Sequence, residues 1–233
     1  MKRKETLLNT AEIDLNQVID EIGDEHVGTS HDTPLRDDAF EMDDDLKMAL
    51  IEKHFKEIMY ILGLDLSDDS LKGTPRRVAK MFVKEVFSGL DPKNKPDVKL
   101  FKNKYKYNEM LVEKDITFYS HCEHHFVPIY GKAHVAYISD GHVIGLSKIN
   151  RIVQHFAKRP QVQERLTIQI GNELKSALGT EDVAVVLDAY HMCVSSRGVK
   201  DTSSSTVTSF YSGRFEREDQ LRNEFLKYLE LRK

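Results

Sequence analysis

The segment FYSHCEHHF at residues 118–126 contains one cysteine, one glutamate and three histidines in five consecutive positions. Cys122 and His125 have C-x-x-H spacing, with which one turn of chain can direct both side chains at a single metal ion. The other cysteine of the chain, Cys193, follows His191 by two positions in the segment HMCV. In a strand, this spacing would place both side chains on the same face.

Two thiolates and one imidazole form a donor set that suits zinc. Structural zinc sites usually have four protein ligands, whereas three ligands plus water is the catalytic pattern, in which the metal lowers the pKa of its water to roughly 7. Cys122, His125 and Cys193 therefore predict a catalytic zinc site. The alternative is a pair of buried free thiols with hydrogen-bonded histidines nearby. His121 could complete a closed four-ligand site, but alternation along a strand would point it away from Cys122.

Basic residues at the start of a predicted helix indicate a second kind of site. In GLSKINRIVQHF, Ser147 has the type of an N-cap residue, yet Lys148 and Arg151 follow in the first turn. The helix dipole disfavours cations there, whereas free N–H groups and added positive charge favour a phosphate. The segment SSRGVKD adds Arg197 and the flexible Gly198 shortly after Cys193.

The periodicity of the chain predicts the elements that carry these residues. DLKMALIEKHFKEIMYILG has helical apolar spacing and ends at Gly63, and TPRRVAKMFVKEVFSG predicts a second helix with Thr74 as its N-cap. Residues 100–145 have the composition of strands, with a turn at Asp140–Gly141 between the last two. Two helices, a strand, a Ser/Thr-rich stretch and a C-terminal helix follow. This order predicts an α+β fold, in which N-terminal helices precede an antiparallel sheet with helices packed on one face.

Length and composition limit the class of protein. At 233 residues the chain can form one large domain or two small ones. The polar, acidic residues 1–40 predict a mobile arm with a short helix near residues 11–22, followed by a helical region at 41–95 and a catalytic domain at 96–233. A net charge of −4 argues against nucleic-acid binding, and no apolar run reaches the eighteen or so residues of a membrane span. We expect a cytoplasmic protein with unpaired thiols.

Four separated motifs, in this order, resemble those of the GTP cyclohydrolase I family: TPRRVAKMF, HCEHHFVPIYGKAHVAYI, GLSKINRIVQHFAKRPQVQERLT and HMCVSSRGVKD. The resemblance runs from about Glu41 to the C-terminus. It implies a tunnelling fold (T-fold) and a homodecamer of two stacked pentamers, with active sites at subunit interfaces. It also implies that GTP and water are converted to 7,8-dihydroneopterin triphosphate and formate, the entry to folate and pterin synthesis. His121 departs from the family pattern, in which a small or neutral residue is expected.

The resemblance implies a role for each matching residue. Zinc would be bound by Cys122, His125 and Cys193, and protons would be transferred by His124 and His191, the latter at the purine N7. Guanine would be bound by Glu164, assisted by Gln163, because a carboxylate offers two acceptors to the adjacent N1–H and amine donors. Helical periodicity alone assigns Glu164 to solvent. Ribose and triphosphate would be held by Ser147, Lys148, Arg151 and Arg197, with Arg77 and Lys80 from a neighbouring subunit.

Two functions of other classes stay open at this point. One is a non-catalytic zinc-binding or nucleotide-binding member of the same fold, against which the retained His124, His191 and Glu164 argue, because binding alone needs no proton transfer. The other is a zinc nucleotide deaminase. The pattern expected of that class, H-x-E together with P-C-x-x-C, is missing from the sequence.

Overall fold

The structure, a computed structural model, describes residues 30–231. Its internal contacts divide the chain into Met1–His31 and Asp32–Lys233, and every element below belongs to the second unit. The predicted helix near residues 11–22 and most of the predicted arm lie outside the described residues. The domain boundaries proposed at residues 40 and 95 stay predictions.

Two helices precede the sheet, as predicted. Helix α1 spans Asp44–Ile61 and is capped by the Asp43 carboxylate, which accepts a hydrogen bond from a backbone N–H of the first turn. Gly63 follows its end with φ +82°, a conformation that glycine adopts without steric cost. Helix α2 spans Thr74–Lys80 and continues as a π-helical turn at Met81–Val86. Short 3₁₀ turns at residues 88–90 and 92–94 lead to the sheet.

Two predicted N-caps are wrong by one or two positions. Gly73, not Thr74, precedes helix α2. Gly145, not Ser147, precedes the later helix α3, which spans Leu146–Ala157. Gly145 already has extended backbone angles and its carbonyl accepts the first backbone hydrogen bond, at 2.7 Å. Ser147 therefore lies inside the first turn, where its side chain cannot cap the helix.

Five strands form the main sheet, in the order β5-β2-β3-β6-β7. All neighbours are antiparallel except β5, which runs parallel to the last two residues of β2 and pairs Gln161 with Cys122. A separate two-stranded ladder joins β1 and β4. The strands are β1 Leu100–Lys102, β2 Met110–Cys122, β3 Pro128–Ile138, β4 His142–Ile144, β5 Pro160–Gln161, β6 Val183–His191 and β7 Thr206–Tyr211.

The predicted turn at Asp140–Gly141 exists, with Gly141 at φ +82°, but it does not close a hairpin. Strand β3 is already bonded on both edges, to β2 and to β6, so it has no free edge for β4. Strand β4 therefore pairs with β1, with Leu100 opposite Ile144. Alternation within one segment could not reveal this choice of partner.

Helices α3 and α4 (Gln163–Leu178) cover one face of the sheet. The core between them combines the inward residues of β2, β3 and β6 with the apolar sides of both helices, for example Phe118, Val135, Leu187, Ile152 and Leu174. Helix α4 lies very close to β7, because a Cβ on Gly171 would be only 2.3 Å from the Phe210 ring. Glycine at this position thus allows the middle of α4 to approach the sheet.

The opposite face is covered at one end only. There α6 (Arg214–Arg217) and α7 (Asp219–Glu230) bury Phe215 and Phe225 against residues of β3 and β6. The prediction that helices pack on one face of the sheet is therefore incomplete, because α6 and α7 lie on the other face. The remainder of this face exposes three tyrosines whose rings stack in series at 6.3 and 5.6 Å, Tyr119, Tyr130 and Tyr190.

The predicted α+β architecture, an antiparallel sheet preceded by helices and packed against them, is confirmed and has the form of a T-fold. A one-turn helix, α5 (Met192–Ser195), follows β6 directly. Across residues 30–231, none of the helices combines the length and the apolar character that a membrane crossing requires.

Candidate active site

Cys122, His125 and Cys193 come together at one end of the sheet. One candidate ligand atom from each lies within 4.8 Å of the other two. Cys122 is buried, Cys193 is half-buried and His125 is exposed, so the cluster lies at the surface with its sulfur side towards the core. The chemistry of this donor set fits zinc, as the sequence predicted.

A tight loop between β2 and β3 presents the first two of these residues. Strand β2 ends at Cys122, whose backbone N–H bonds to the Val127 carbonyl at 2.9 Å and whose carbonyl accepts from Phe126 at 2.8 Å. Phe126 has φ +55°, which lets the chain reverse within a few residues. The loop therefore directs His125 outward beside the buried thiol, 3.8 Å from Nδ1 to Sγ.

Cys193 reaches the cluster in a different way from the one predicted. Strand β6 ends at His191, and Cys193 lies in the one-turn helix α5. The two residues therefore do not share a strand face, because the chain leaves the sheet between them. The predicted place of Cys193 beside Cys122 and His125 is confirmed, but the argument from strand alternation was wrong at this position.

His121 does not belong to the metal cluster. Its ring packs edge-on against Phe87 at 5.4 Å, on the other side of strand β2 from the Cys122 thiol. Its Nδ1 is buried and has no hydrogen-bond partner in the described part of the chain. Burial also lowers the pKa of His121, which keeps the ring neutral. As predicted from strand alternation, the His121 side chain therefore points away from Cys122.

The surroundings favour the neutral imidazole of His125, which is the form that binds a metal ion, but they do not favour the thiolate of Cys193. Burial, the Arg197 cation and His124 lower the pKa of His125, so its ring is neutral, as metal binding requires. Burial and the neighbouring Cys122 thiol raise the pKa of Cys193. A metal ion would therefore have to displace a proton from this thiol in order to bind it.

Two further histidines adjoin the cluster. His124 is exposed, and its Nδ1 lies 3.6 Å from the Cys122 sulfur. His191 is half-buried, and its Nε2 lies 2.7 Å from Oε1 of Gln163. Burial lowers the pKa of His191, whereas the charge of Glu164 opposes that shift. His191, Gln163 and Glu164 thus occupy one neighbourhood at the start of helix α4.

The start of α4 is held to the metal loop by a buried polar network that sequence analysis missed. The Arg165 guanidinium is only 3% exposed, forms an ion pair with Glu123 of the loop and donates to Gln161 Oε1 at 3.1 Å. Gln161 in turn donates to Gln169 at 2.9 Å. Only the position of Glu123 inside the loop motif hinted at this role, because a polar helix face is ordinarily exposed.

Three of the predicted phosphate-binding residues lie far from the cluster within one chain. Helix α3 runs along β2, with Asn150 bonded to Glu113 at 3.2 Å and Gln154 bonded to the Thr117 carbonyl at 2.6 Å. At roughly 3.3 Å per strand residue, Glu113 and Cys122 are about 30 Å apart. The three phosphate-binding candidates lie in the first two turns of this helix, at the end that contacts Glu113: Ser147, Lys148 and Arg151.

Of the other basic residues, Arg197 lies beside the cluster, whereas Arg77 and Lys80 do not contact it in the described part of the chain. Arg197 lies at the cluster and donates from Nη1 to His125 Nε2 at 2.9 Å. Arg77 and Lys80 are exposed on helix α2, where Arg77 donates to the Ser70 carbonyl and to Thr74, both at 3.1 Å. Within the described residues, neither side chain bonds to a residue of the metal cluster.

An antiparallel sheet with two thiols, an imidazole that could join them at a metal ion and two further histidines at its end has the chemistry that a hydrolase needs. Comparison with known proteins narrows this class. Residues 51–230 match the model of the family described as GTP cyclohydrolase I. The chain belongs to this family, which confirms the resemblance found in the sequence and the predicted activity as a GTP cyclohydrolase I, a hydrolase.

Individual relatives agree with the family match. A protein of Flavobacterium johnsoniae named GTP cyclohydrolase 1 is 61% identical over 213 residues, which cover 91% of this chain and 95% of the relative. One of Citrobacter koseri with the same name is 56% identical over 196 residues, 84% of this chain and 88% of the relative. A solved structure of archaeosine synthase QueF-Like in the apo form matches at 18% identity and a TM-score of 0.38, over 45% of this chain and 93% of that one. At that score, the last similarity does not bear on function.

Proposed function

We propose that the protein is a zinc enzyme that opens the imidazole ring of the guanine of GTP, releases formate and forms 7,8-dihydroneopterin triphosphate. The observation that carries this proposal is the juxtaposition of the Cys122–His125–Cys193 cluster with His191 and Glu164. Family membership supplies GTP as the substrate class.

The three clustered residues would hold the zinc ion. When bound, zinc supplies a Lewis acid that activates water near neutral pH, which hydrolysis of a purine ring needs. Their geometry supports three protein ligands rather than four, because His121 lies against Phe87 instead.

His124 and His191 would move the protons of the reaction. Ring opening requires a proton at the purine N7, and the later ring closure requires further transfers, for which imidazoles have suitable pKa values. We assign N7 to His191, because it lies beside Gln163 and Glu164, the residues expected near the base. His124 lies beside the Cys122 sulfur and would act at the water side.

Glu164 would bind guanine. Its carboxylate presents two acceptor oxygens, which match the adjacent N1–H and amine donors of guanine and reject adenine, whose N1 is an acceptor. Glu164 is exposed in the single chain, at the start of a helix whose neighbouring side chains are buried. It is therefore available to a ligand or to an adjoining subunit.

The triphosphate would be bound by residues of more than one subunit. The separation of about 30 Å along β2 supports the view that Ser147, Lys148 and Arg151 serve the metal centre of a neighbouring chain, while Arg197 serves its own. Arg77 and Lys80 would reach the triphosphate from a neighbouring subunit. Exposed apolar side chains on α1 support association of this kind, as in the expected decamer of two pentamers: Leu46, Leu50, Ile58 and Ile61.

The test is a GTP assay on purified protein of measured zinc content, following formate and the fluorescence of the oxidised pterin. We expect formate release that stops on chelation and in Cys193→Ser. Val199→Ser, an exposed change in the adjoining loop, is the matched control and should be active. Release of ammonia would indicate a deaminase, and tight GTP binding without turnover would indicate a binding protein. The cytoplasmic location stays a prediction.

A further inference from the structure

Gln163 is the first residue of helix α4 and one of the most deeply buried polar residues near the site, with 2% of its surface exposed. Its amide lies between strands β6 and β7 and the ring of His191. Every polar atom of this side chain has a partner within the chain. The nature of those partners determines which way the amide must point.

The nitrogen end of the amide is fixed by two backbone carbonyls. Nε2 of Gln163 lies 2.8 Å from the Thr206 carbonyl oxygen and 3.3 Å from that of Leu187. Carbonyl oxygens only accept hydrogen bonds, so the group that faces them must be the NH₂. Turning the amide over would set oxygen against oxygen at both contacts and leave a buried donor without a partner.

A third contact has a direction that agrees with this orientation. Nε2 also lies 3.1 Å from the Thr208 hydroxyl, which lies 2.7 Å from that of Thr167. The Thr167 hydroxyl donates its proton to the backbone carbonyl oxygen of Gln163 at 2.8 Å. Thr208 must therefore donate to Thr167, and its remaining lone pairs can accept from Gln163. The hydrogen bonds form a closed ring that begins and ends at Gln163.

The oxygen end then fixes the tautomer of His191. Oε1 of Gln163 lies 2.7 Å from Nε2 of His191. Because this oxygen only accepts, Nε2 must carry a proton. The nitrogen of His191 that can exchange a proton with a ligand is therefore Nδ1.

We propose that Gln163 is a positioning residue, which holds His191 in its Nε2–H tautomer so that Nδ1 is the atom that serves the purine N7. This inference rests on the proposed function for the identity of the base. It differs from the role that the resemblance implies, in which Gln163 assists guanine binding directly. Both donors and the acceptor of the amide are used inside the chain, so the side chain has no donor left for guanine.

The tautomer can be measured directly on the zinc-loaded, full-length protein. Magic-angle-spinning NMR of protein with ¹⁵N-labelled histidine distinguishes protonated from unprotonated ring nitrogens, and His191→Asn identifies the signals of His191 by difference. We expect Nε2 of His191 to carry a proton. An Nε2 without a proton, with the proton on Nδ1 instead, would overturn the proposal. This measurement needs no variant of Gln163 to fold.

Gln163→Met then tests the effect on catalysis. The substitution keeps the length of the side chain but removes the oxygen that accepts from His191, so we expect a mixture of tautomers. We expect kcat for GTP to fall by at least about tenfold, within the range of a misdirected proton transfer, while KM changes less than about threefold. A raised KM with an unchanged His191 spectrum would instead show direct binding of guanine and would overturn the proposal.

Thr208→Val is the matched control. It removes one acceptor from Gln163 Nε2 but leaves both carbonyls, so the amide orientation, the His191 spectrum and kcat should stay as in the wild type. A spectrum that changes as it does in Gln163→Met would contradict the role given to the carbonyls. If the wild-type protein released no formate from GTP, the proposed function would fail, but the His191 spectrum would still decide the tautomer.

Discussion

Arg197 donates a hydrogen bond from Nη1 to Nε2 of His125 at 2.9 Å, although the two residues are 72 positions apart. An arginine only donates, so Nε2 of His125 accepts and its proton lies on Nδ1, the nitrogen that faces the Cys122 sulfur. A metal ion bound through Nδ1 would move that proton to Nε2, and one bound through Nε2 would occupy the place of the arginine. Either way, metal binding releases Arg197.

The first prediction concerns this release. Arg197→Ala should leave zinc affinity unchanged or slightly higher, because no bond to His125 has to be broken, whereas KM for GTP should rise about tenfold or more through loss of a phosphate contact. Competition with a chromophoric chelator measures the first quantity and steady-state kinetics the second. Lys200→Ala, in the same exposed loop, is the control. A tenfold loss of zinc affinity in Arg197→Ala would contradict the argument.

A second prediction concerns the buried ion pair between Arg165 and Glu123. Arg165→Met leaves a largely buried carboxylate without its cation, which should destabilise the protein by about 3–5 kcal/mol and weaken zinc binding by the adjoining loop. The double variant with Glu123→Gln should recover part of that loss. Urea unfolding and zinc competition provide the two readouts.

The control for this pair is Arg214→Met. Arg214 pairs with Glu218 on the surface, with both side chains more than 40% exposed, so its loss should cost about 1 kcal/mol or less. Equal effects of the two arginine variants would show that the buried pair does not hold the loop.

A third prediction concerns acid stability. Burial, Arg159 and Lys95 lower the pKa of His155 to about 4, and Arg159 donates to its Nε2 at 2.8 Å. The unfolded chain binds this proton at a pKa near 6.5, so between these values it binds more protons than the folded chain. Stability should therefore fall as the pH falls from about 6.5 to about 4, by up to about 3 kcal/mol for this group.

His155→Gln removes the titrating group but keeps an acceptor for Arg159. The difference in unfolding free energy between pH 7 and pH 4.5 should be smaller in this variant than in the wild type. His142→Gln, at an exposed histidine, should behave as the wild type does. An unchanged pH dependence in His155→Gln would mean that other groups cause the acid instability.

A fourth prediction tests the shared active site. Cys193→Ser and Arg151→Ala should each have little activity alone. Co-expressed in equal amounts, they should recover about a quarter of the wild-type activity, because some interfaces combine an intact metal centre with an intact Arg151 from the neighbour. Formate release by the co-purified mixture is the measurement. Lys158→Ala, an exposed lysine just after the other end of helix α3, should be active alone. No recovery would indicate that each site uses residues of one chain.

The cluster that could bind a metal ion was predictable from the sequence because its chemistry is rare and local. The sequence has only two cysteines, Cys122 and Cys193, each with histidines nearby. This predicted that they approach one another with His125, even though Cys193 lies in a helical turn rather than in a strand. Apolar periodicity likewise predicted helix α1 and strand β2. Burial alternates along β2 from Ile116 to Cys122, whereas α1 leaves apolar residues of the predicted stripe exposed, among them Leu46 and Ile58.

The buried polar residues could not be predicted in this way. Gln163 and Arg165 have types that usually face solvent, and only the packing of α4 against β7 and the metal loop gives them partners. Strand β4 was assigned to the wrong neighbour because partner choice depends on which edges remain free. The position of Ser147 relative to Cys122 is a property of the folded sheet, and sequence order does not contain it.

The short parallel pairing of β5 with β2 has a consequence for specificity. Cys122 lies opposite Gln161, and Gln161 precedes Glu164 by only three residues. If Cys122 binds the metal ion and Glu164 binds guanine, as proposed, this two-residue ladder sets the distance between the reacting carbon of the purine and the edge that distinguishes guanine. A register shift of one residue would move Cys122 by roughly 3.3 Å relative to Gln161 and point the side chains to the opposite face. The same few backbone hydrogen bonds would therefore determine both the recognition of the base and the position of the reaction.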